Sequence, residues 1–427
     1  MGPRFRIDVQ RLTDYVSAHM NESLPPALQN LRVALVHYWL VRRRGGEKVL
    51  EALADMFPEA DVFTLLLDRN EIGPCLQNRT ITTSFLQHIP GIRRHYQKFL
   101  PLCPLALENF NLDAYDLVIS SESGPAKGVI TGSHTYHLCY CHTPMRYVWD
   151  MYFEYKKSTP GGRLGRAFFS LVGHYMRIWD SYSAARVDHF VANSQHVANR
   201  IRKTYRREAE VVYPPVVMDT NMDDEDLRAD QPGDFYLVAG QLVRYKRVDL
   251  AIEACNRLSR KLIVIGDGEE LKRLSQIAGP TVTIMGWQSD EVLLQHYRCC
   301  RALLFPGEED FGMTPVEAQA SGRPVIAFGR GGALETIRGY FNDEGSFFPD
   351  CSGVFFREPS VESLSAAILS FEKNEHKFCQ RRIRENARIF DHRRFRLEMT
   401  KVLVSGIEQF RRLHNLSPRH PKLETVV

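Results

Sequence analysis

Two glutamates eight positions apart, Glu309 and Glu317, flank the run Phe311-Gly312-Met313-Thr314-Pro315. The apolar stretch Ala302-Leu303-Leu304-Phe305 before them reads as a buried strand. Gly307 and Gly312 break it, Thr314 is the expected N-cap, and Pro315 is the expected first helical residue. A Gly-rich loop feeding a helix start offers backbone N–H groups and the positive end of a helix dipole, which suits an anion. Carboxylates repel phosphate but accept hydrogen bonds from sugar hydroxyls. Phosphate donors beside hydroxyl acceptors therefore suit a nucleotide-sugar better than a plain nucleotide. Taken alone, Glu317 is equally a carboxylate stabilising a helix N-terminus by roughly 0.3–1 kcal/mol. With Glu309 and the Gly loop beside it, the ligand reading is ahead.

Other chemistry-bearing residues fall at strand ends. Gly240-Gln241-Leu242-Val243-Arg244-Tyr245-Lys246-Arg247 places Arg244, Lys246 and Arg247 after a strand, where each charge-assisted hydrogen bond to a diphosphate could contribute about 1.5–3 kcal/mol. Gly266-Asp267-Gly268 is a turn allowing close backbone approach, although strand ends often need such glycines merely to turn. Gly45-Gly46-Glu47-Lys48 is a second close-approach loop, with a plain tight turn as its alternative. His142, in Cys141-His142-Thr143-Pro144-Met145-Arg146, closes a strand before a Pro-stopped turn. Asn193-Ser194 ends another strand. Cys139 and Cys141 beside His142 hint at a metal, but no second ligand cluster accompanies them, and two small buried residues are the default.

The elements that must position these residues alternate. Residues 32–37, 62–66, 117–121, 135–140, 189–194 and 211–213 read as short apolar strands, with a helix over 47–56. After a polar, acidic stretch the alternation resumes with strands at 235–240, 261–265, 282–285, 302–305, 324–328 and 353–356, and helices at 361–371, about 375–389 and 395–413. Such alternation describes α/β architecture with doubly wound parallel sheets. At 427 residues, two domains are expected. The expected division is an N-terminal extension over 1–30, a first Rossmann-like domain over 31–217, a linker over 218–234 and a second domain over 235–390. A final helix over 391–415 and a tail over 416–427 complete it.

Composition narrows the class. The chain is 44% hydrophobic and 25% charged, with no membrane-spanning apolar run. Residues 1–29 lack the apolar core of a secretory signal and read as a polar, partly helical extension, so a cytoplasmic location is expected. Nine scattered cysteines fit free thiols. Residues 1–215 hold 26 Lys+Arg against 20 Asp+Glu, and 216–427 hold 29 against 31. A basic first half favours an anionic partner, and with no nucleic-acid module visible, nucleic acid is set aside for a membrane surface. Residues 85–105, mixing Arg93, Arg94, His95 and Lys98 with Ile89, Ile92, Phe99 and Leu100, are the expected peripheral membrane segment; an ordinary amphipathic helix explains them as well.

Glu309, Glu317 and the trailing Glu317-Ala318-Gln319-Ala320-Ser321-Gly322-Arg323-Pro324 resemble the paired-glutamate signature of retaining glycosyltransferases of family 4, over about residues 32–405. The run at His142 is similar to one in bacterial O-antigen and exopolysaccharide mannosyltransferases. The resemblance implies a GT-B fold with an interdomain cleft, the last helix crossing back to brace the first domain. It implies catalytic roles for His142, Glu309 and Lys246. It implies donor contacts from Gly45, Gly46, Gln241, Arg244, Lys246, Arg247, Gly266, Gly268, Met285, Trp287, Phe311, Gly312, Met313, Thr314 and Glu317. Glu317 would hold the ribose, Glu309 the donor hexose, and His142 would contact that hexose. Ser194 and Arg146 are the acceptor-side candidates. The family usually has Arg where Gln241 stands, and Arg244 or Arg247 is left to supply that charge; Trp287 is alternatively a packing residue.

The implied reaction is retaining transfer of a hexose, mannose from GDP-mannose first, to a polyprenyl-diphosphate-linked or oligosaccharide acceptor. No cofactor is expected, and no metal, because no Asp-X-Asp run ends a strand. The rivals are a UDP-glucose or UDP-glucuronate donor, a sugar-nucleotide epimerase of the same fold, and a non-catalytic binding protein.

Overall fold

A computed structural model describes residues 24–216, 233–344 and 346–416. The expected extension up to residue 23, the linker from 218 to 232 and the tail beyond Leu416 lie outside the described residues. The chain separates into two compact units. The first comprises residues up to Asn193, Val197–Pro215 and the chain from His392 onward, and the second comprises Ser194–His196 and Val216–Asp391.

In the first unit seven parallel strands, β1 (Val33–Leu40), β2 (Asp61–Leu67), β3 (Ile81–Thr83), β4 (Leu117–Glu122), β5 (Tyr136–Cys141), β6 (His189–Ala192) and β7 (Glu210–Val211), form one sheet in the order 3-2-1-4-5-6-7. The β1 side chains are buried along nearly their whole length, because helices cover both faces of the sheet. One face packs on helix α1 (Gly45–Met56) and on the last helix among the described residues, through Leu50, Leu53, Phe395, Met399, Leu403 and Phe410. The other face is covered by short helical turns between Phe85 and Glu108 and by helix α2 (Gly162–Ala185). Ile89, Ile92, Phe99 and Leu100, expected at a membrane surface, are instead turned onto this core. Their loop begins at the end of an added edge strand, β3, which folds them back over the sheet.

Helix α3 (Gln195–Tyr205) follows β6. The second unit repeats the plan with β8 (Tyr236–Ala239), β9 (Leu262–Ile265), β10 (Val282–Gly286), β11 (Leu303–Phe305), β12 (Val325–Phe328), β13 (Gly339–Phe341) and β14 (Gly353–Phe356). The order is 10-9-8-11-12-14-13, again all parallel. Helices α4 (Val248–Leu258), α5 (Asp290–Cys299), α6 (Met313–Ala320), α7 (Val361–Asn374) and α8 (Gln380–Arg388) flank it. The sheet's apolar faces bury Val238, Val264, Leu304 and Ile326 on one side and Leu237, Ile265, Leu303 and Val325 on the other.

The chain then leaves the second unit, and α9 (His392–Leu413) packs within the first. Arg394 anchors its start by donating to the Tyr213 carbonyl at 2.9 Å and to Glu398 at 2.7 Å. Among the elements that the sequence reading did not place are β3 and β13, which have three residues each, the helices α3, α4 and α5, and α2, whose exposed apolar residues blur its amphipathic period.

Candidate active site

Parallel doubly wound sheets bind ligands outside the carboxyl ends of their strands, where the strand order reverses. In the second unit the reversal lies between β8 and β11. The β8 end runs into Gly240 and the turn Arg244–Lys246, and the β11 end runs into the loop carrying Glu309. Topology therefore brings together residues some sixty positions apart in sequence. Lys246 Nζ lies 2.9 Å from Glu309 Oε1, with the two side chains 17% and 18% exposed.

Backbone contacts hold this loop on both flanks. A methyl group at Gly307 would collide with the Lys246 Cα, and one at Gly332 with the Phe311 backbone. Gly332 N–H also donates to the Glu309 carbonyl at 2.9 Å. Ser194, expected on the acceptor side, is instead buried, and its hydroxyl donates to the Asp310 carbonyl at 2.6 Å. It braces the Glu309 loop from within the second unit.

Helix α6 begins two residues earlier than its sequence signals suggest. Gly312, at φ 86°, takes the cap position, so Met313 and not Pro315 opens the helix. The left-handed conformation is open to Gly without a Cβ penalty. Pro315 is still tolerated at the third helical position, where no intrahelical N–H bond is lost. The Thr314 hydroxyl, freed from capping, is buried without a hydrogen-bond partner, and its methyl lies near the Gly240 position. An orphaned buried hydroxyl beside Lys246 is what a ligand oxygen would satisfy.

Glu317 is oriented from α5 by Tyr297, which donates to its Oε2 at 3.0 Å. Burial first, and then the Glu317 charge, holds the Tyr297 phenol well above its ordinary pKa, so it remains a donor. Sequence reading missed Tyr297, since a tyrosine late in an amphipathic helix is indistinguishable from core.

The cations near Lys246 divide. Arg247 lies in the left-handed region and its Nε donates to Asp249 at 3.2 Å, so its charge is engaged at the start of α4. Arg244 is exposed, with no ion pair among the described residues. Gln241 lies partly buried beside it. Gly266, at φ 152°, and Gly268 press on the Gly240–Leu242 backbone, so their lack of side chains first serves loop-on-loop packing. Met285 is half-buried against the core, whereas Trp287 is 76% exposed beyond edge strand β10, which removes the packing explanation for it.

In the first unit the reversal lies between β1 and β4, and a polar cluster occupies it. His142 Nε2 and Ser121 Oγ are hydrogen-bonded at 3.0 Å. A methyl added to Gly46 would sit 3.6 Å from His142, His37 and Tyr38 alike. Gly45 and Gly46 are therefore not loop residues but the first turn of α1, aimed at this cluster. The start is fixed by Glu47, which accepts from the Arg44 N–H at 3.0 Å and lies 3.6 Å from His37 Nε2. Ser123 donates to the Tyr38 hydroxyl at 2.9 Å. Tyr38 is held above its usual pKa by burial and then by Glu47.

His142 keeps part of its side chain exposed, yet the protein packed around the ring and then neighbouring His37 push its pKa down to about 3. It is neutral at ordinary pH, able to donate one hydrogen bond and accept another. Its neighbour Arg146 lies partly buried in the turn after β5, where its carbonyl accepts from Met151. Cys139 and Cys141 are buried in β5, packed against Phe190 and Ala192. His37, Tyr38, Ser121 and Ser123 went unread in the sequence, where each is an ordinary strand or strand-end residue.

Residues 219–390 match the family model described as glycosyl transferases group 1, and residues 43–220 that described as glycosyltransferase family 4. Similar curated proteins include an uncharacterized glycosyltransferase of Methanocaldococcus jannaschii, 25% identical over 50% of this chain and 57% of its own. The human alpha-1,3/1,6-mannosyltransferase ALG2 is 26% identical over 53% of this chain and 60% of its own. D-inositol 3-phosphate glycosyltransferase of Mycolicibacterium smegmatis is 29% identical over 42% and 48%. The chain thus spans about half the length of the curated relatives it matches.

Among solved structures, Anabaena HepE in complex with UDP and glucose superposes with a TM-score of 0.62 at 16% identity, covering 88% of this chain and 100% of that one. The catalytic domain of starch synthase IV from Arabidopsis thaliana gives 0.57 at 11%, covering 88% and 99%. At such identities these likenesses establish the fold, GT-B, with two Rossmann-like sheets.

Proposed function

Since the chain belongs to glycosyltransferase family 4, we propose that it moves a hexose from a sugar nucleotide to a glycan acceptor with retention of configuration. GDP-mannose is the donor favoured, on the strength of the mannosyltransferase relatives. The acceptor proposed is a polyprenyl-diphosphate-linked or oligosaccharide glycan of bacterial surface polysaccharide synthesis. The observation that carries the reading is the Lys246–Glu309 pair beside the start of α6, at the point where the second sheet reverses.

The donor's diphosphate is taken to lie over the α6 N-terminus. Lys246 exchanges Glu309 for a phosphate oxygen, and Arg244 supplies the further cation that Gln241 lacks. Phe311, Gly312, Met313 and Thr314 present backbone and hydroxyl groups to sugar and phosphate oxygens. Glu317, steadied by Tyr297, accepts from the ribose hydroxyls, and Glu309, once released, accepts from those of the hexose. In the first unit, neutral His142 suits a hexose hydroxyl, and Gly45 and Gly46 permit close approach by the phosphates.

The anomeric C–O bond to phosphate breaks as the acceptor oxygen bonds to the same carbon on the same face. The acceptor's proton passes to the departing phosphate oxygen. Preorganised positive charge stabilises the leaving diphosphate.

Release of nucleoside diphosphate from GDP-mannose, UDP-glucose and UDP-glucuronate, with a bacterial lipid extract as the source of acceptor and with and without EDTA, tests the reading. GDP release that EDTA leaves unchanged and Glu309→Ala abolishes is expected. Release from UDP-sugars alone would reassign the base, and no release from any donor would leave a binding protein.

A further inference from the structure

Helix α2 carries an apolar seam that its own fold does not cover. Leu164, Phe168, Leu171, Tyr175, Ile178 and Tyr182 recur at alternating intervals of four and three, which places them along one line of the helix. All six are exposed, Leu164 by 85%. The preceding short helix (Tyr152–Ser158) adds exposed Phe153 and Tyr155.

The seam is not needed to hold the helix in place, because a different face does that. Gly173, Met176, Trp179 and Ser183 are buried there, and Asp180 pairs with the fully buried Lys127 while accepting from Trp149 at 2.7 Å and Tyr205 at 2.9 Å. An exposed run of large apolar side chains on a firmly anchored helix marks an interaction surface.

Charge identifies the partner. From Tyr152 to Ala185 the chain carries five cations, Lys156, Lys157, Arg163, Arg166 and Arg177, against two acids, exposed Glu154 and buried Asp180. Arg163 and Arg166 are exposed beside the seam. A second copy would bring the same predominantly cationic surface, with Glu154 as its one exposed carboxylate between Tyr152 and Ala185 against five cations. Tyrosines with an apolar body and a polar tip, next to arginines, match the boundary between headgroups and acyl chains. We propose that the α2 seam lies on an anionic lipid surface, with Leu164, Phe168, Leu171 and Ile178 inserted and Arg163 and Arg166 over the headgroups. Among the described residues no helix is long and apolar enough to cross a membrane, so this contact is peripheral.

The proposal concerns a surface apart from the donor site, so its outcome is independent of sugar transfer. Sedimentation of the full chain with sucrose-loaded vesicles of phosphatidylcholine, alone or with about one-third phosphatidylglycerol, tests it. Binding to the anionic vesicles is expected. The Phe168→Ser/Leu171→Ser/Ile178→Ser protein should partition roughly tenfold more weakly or worse. Arg163→Glu/Arg166→Glu should erase the preference for phosphatidylglycerol, a second readout that leaves the apolar seam intact.

Wild-type protein that ignores anionic vesicles, or binding untouched by both variants, would overturn the proposal. So would a wild-type dimer that the triple variant converts to monomer in sedimentation velocity while vesicle binding is absent.

Discussion

Replacing Lys246 by Ala removes one cation and leaves the turn that carries it. Gly307 packs against the backbone of Lys246, not its side chain, so the loop geometry survives the truncation. The pair with Glu309 is less than one-fifth exposed, but it sits at a strand end reachable by solvent. The stability change should therefore be no more than about 1 kcal/mol. Activity should respond differently. A charge-assisted hydrogen bond to the departing diphosphate contributes about 1.5–3 kcal/mol, and it strengthens as negative charge develops. At about 1.4 kcal/mol per factor of ten, kcat should fall about 10- to 150-fold. Coupled-enzyme detection of nucleoside diphosphate gives kcat and KM, and thermal unfolding gives the stability control. A Lys246→Ala protein with kcat within twofold of wild type and an unchanged melting temperature would refute the leaving-group role. A loss appearing wholly in KM would assign Lys246 to uniform donor binding instead.

Tyr297→Phe keeps the ring and deletes the hydrogen bond to Glu317; about 0.5–1.5 kcal/mol of donor binding should be lost, measured by calorimetric titration with the nucleoside diphosphate. Asp180→Asn leaves Lys127 buried without its counter-charge, and urea unfolding should show a loss of about 3–5 kcal/mol. The third expectation concerns pH. His137, buried in β5 against Ser120, has its pKa pushed down to about 3 by desolvation and then by Arg186 and Lys127. Below about pH 6.5 the unfolded chain takes up a proton that the folded one refuses, so stability falls as pH falls from 6.5 toward 3, by about 1.4 kcal/mol per unit for this residue. Urea midpoints at pH 6.0, 5.0 and 4.0 should show that slope, and His137→Gln should reduce it.

Much of the architecture is visible in the chain before folding, and the reason is local. Buried parallel strands read as short apolar runs wherever they lie, so β1, β8, β11 and β14 are legible from composition and flanking glycines alone. Glu309 and Glu317 are legible because the loop and helix start between them are contiguous in sequence. What sequence order cannot convey is which strand ends are neighbours. The reversal of strand order beside β8 sets Lys246 on Glu309, and hydrogen bonding from α5 sets Tyr297 on Glu317. Likewise the packing of α9 within the first unit rests on contacts between residues hundreds of positions apart.

Two local signals also gave way to tertiary demands. Thr314 is a good N-cap in isolation, but Gly312 can take the left-handed backbone that the β11 loop requires, so it caps α6 and leaves the threonine hydroxyl to face inward. Residues 85–105 have the mixed composition of a surface binder, yet Leu86, Ile89, Ile92, Phe99 and Leu100 close one face of the first sheet. The exposed seam belongs to α2, whose period is hidden in sequence because apolar residues line both its anchored face and its open one. Residue type alone decided which chemistry this chain can attempt. The pairing of strands, a long-range and cooperative choice, decided which of those residues meet.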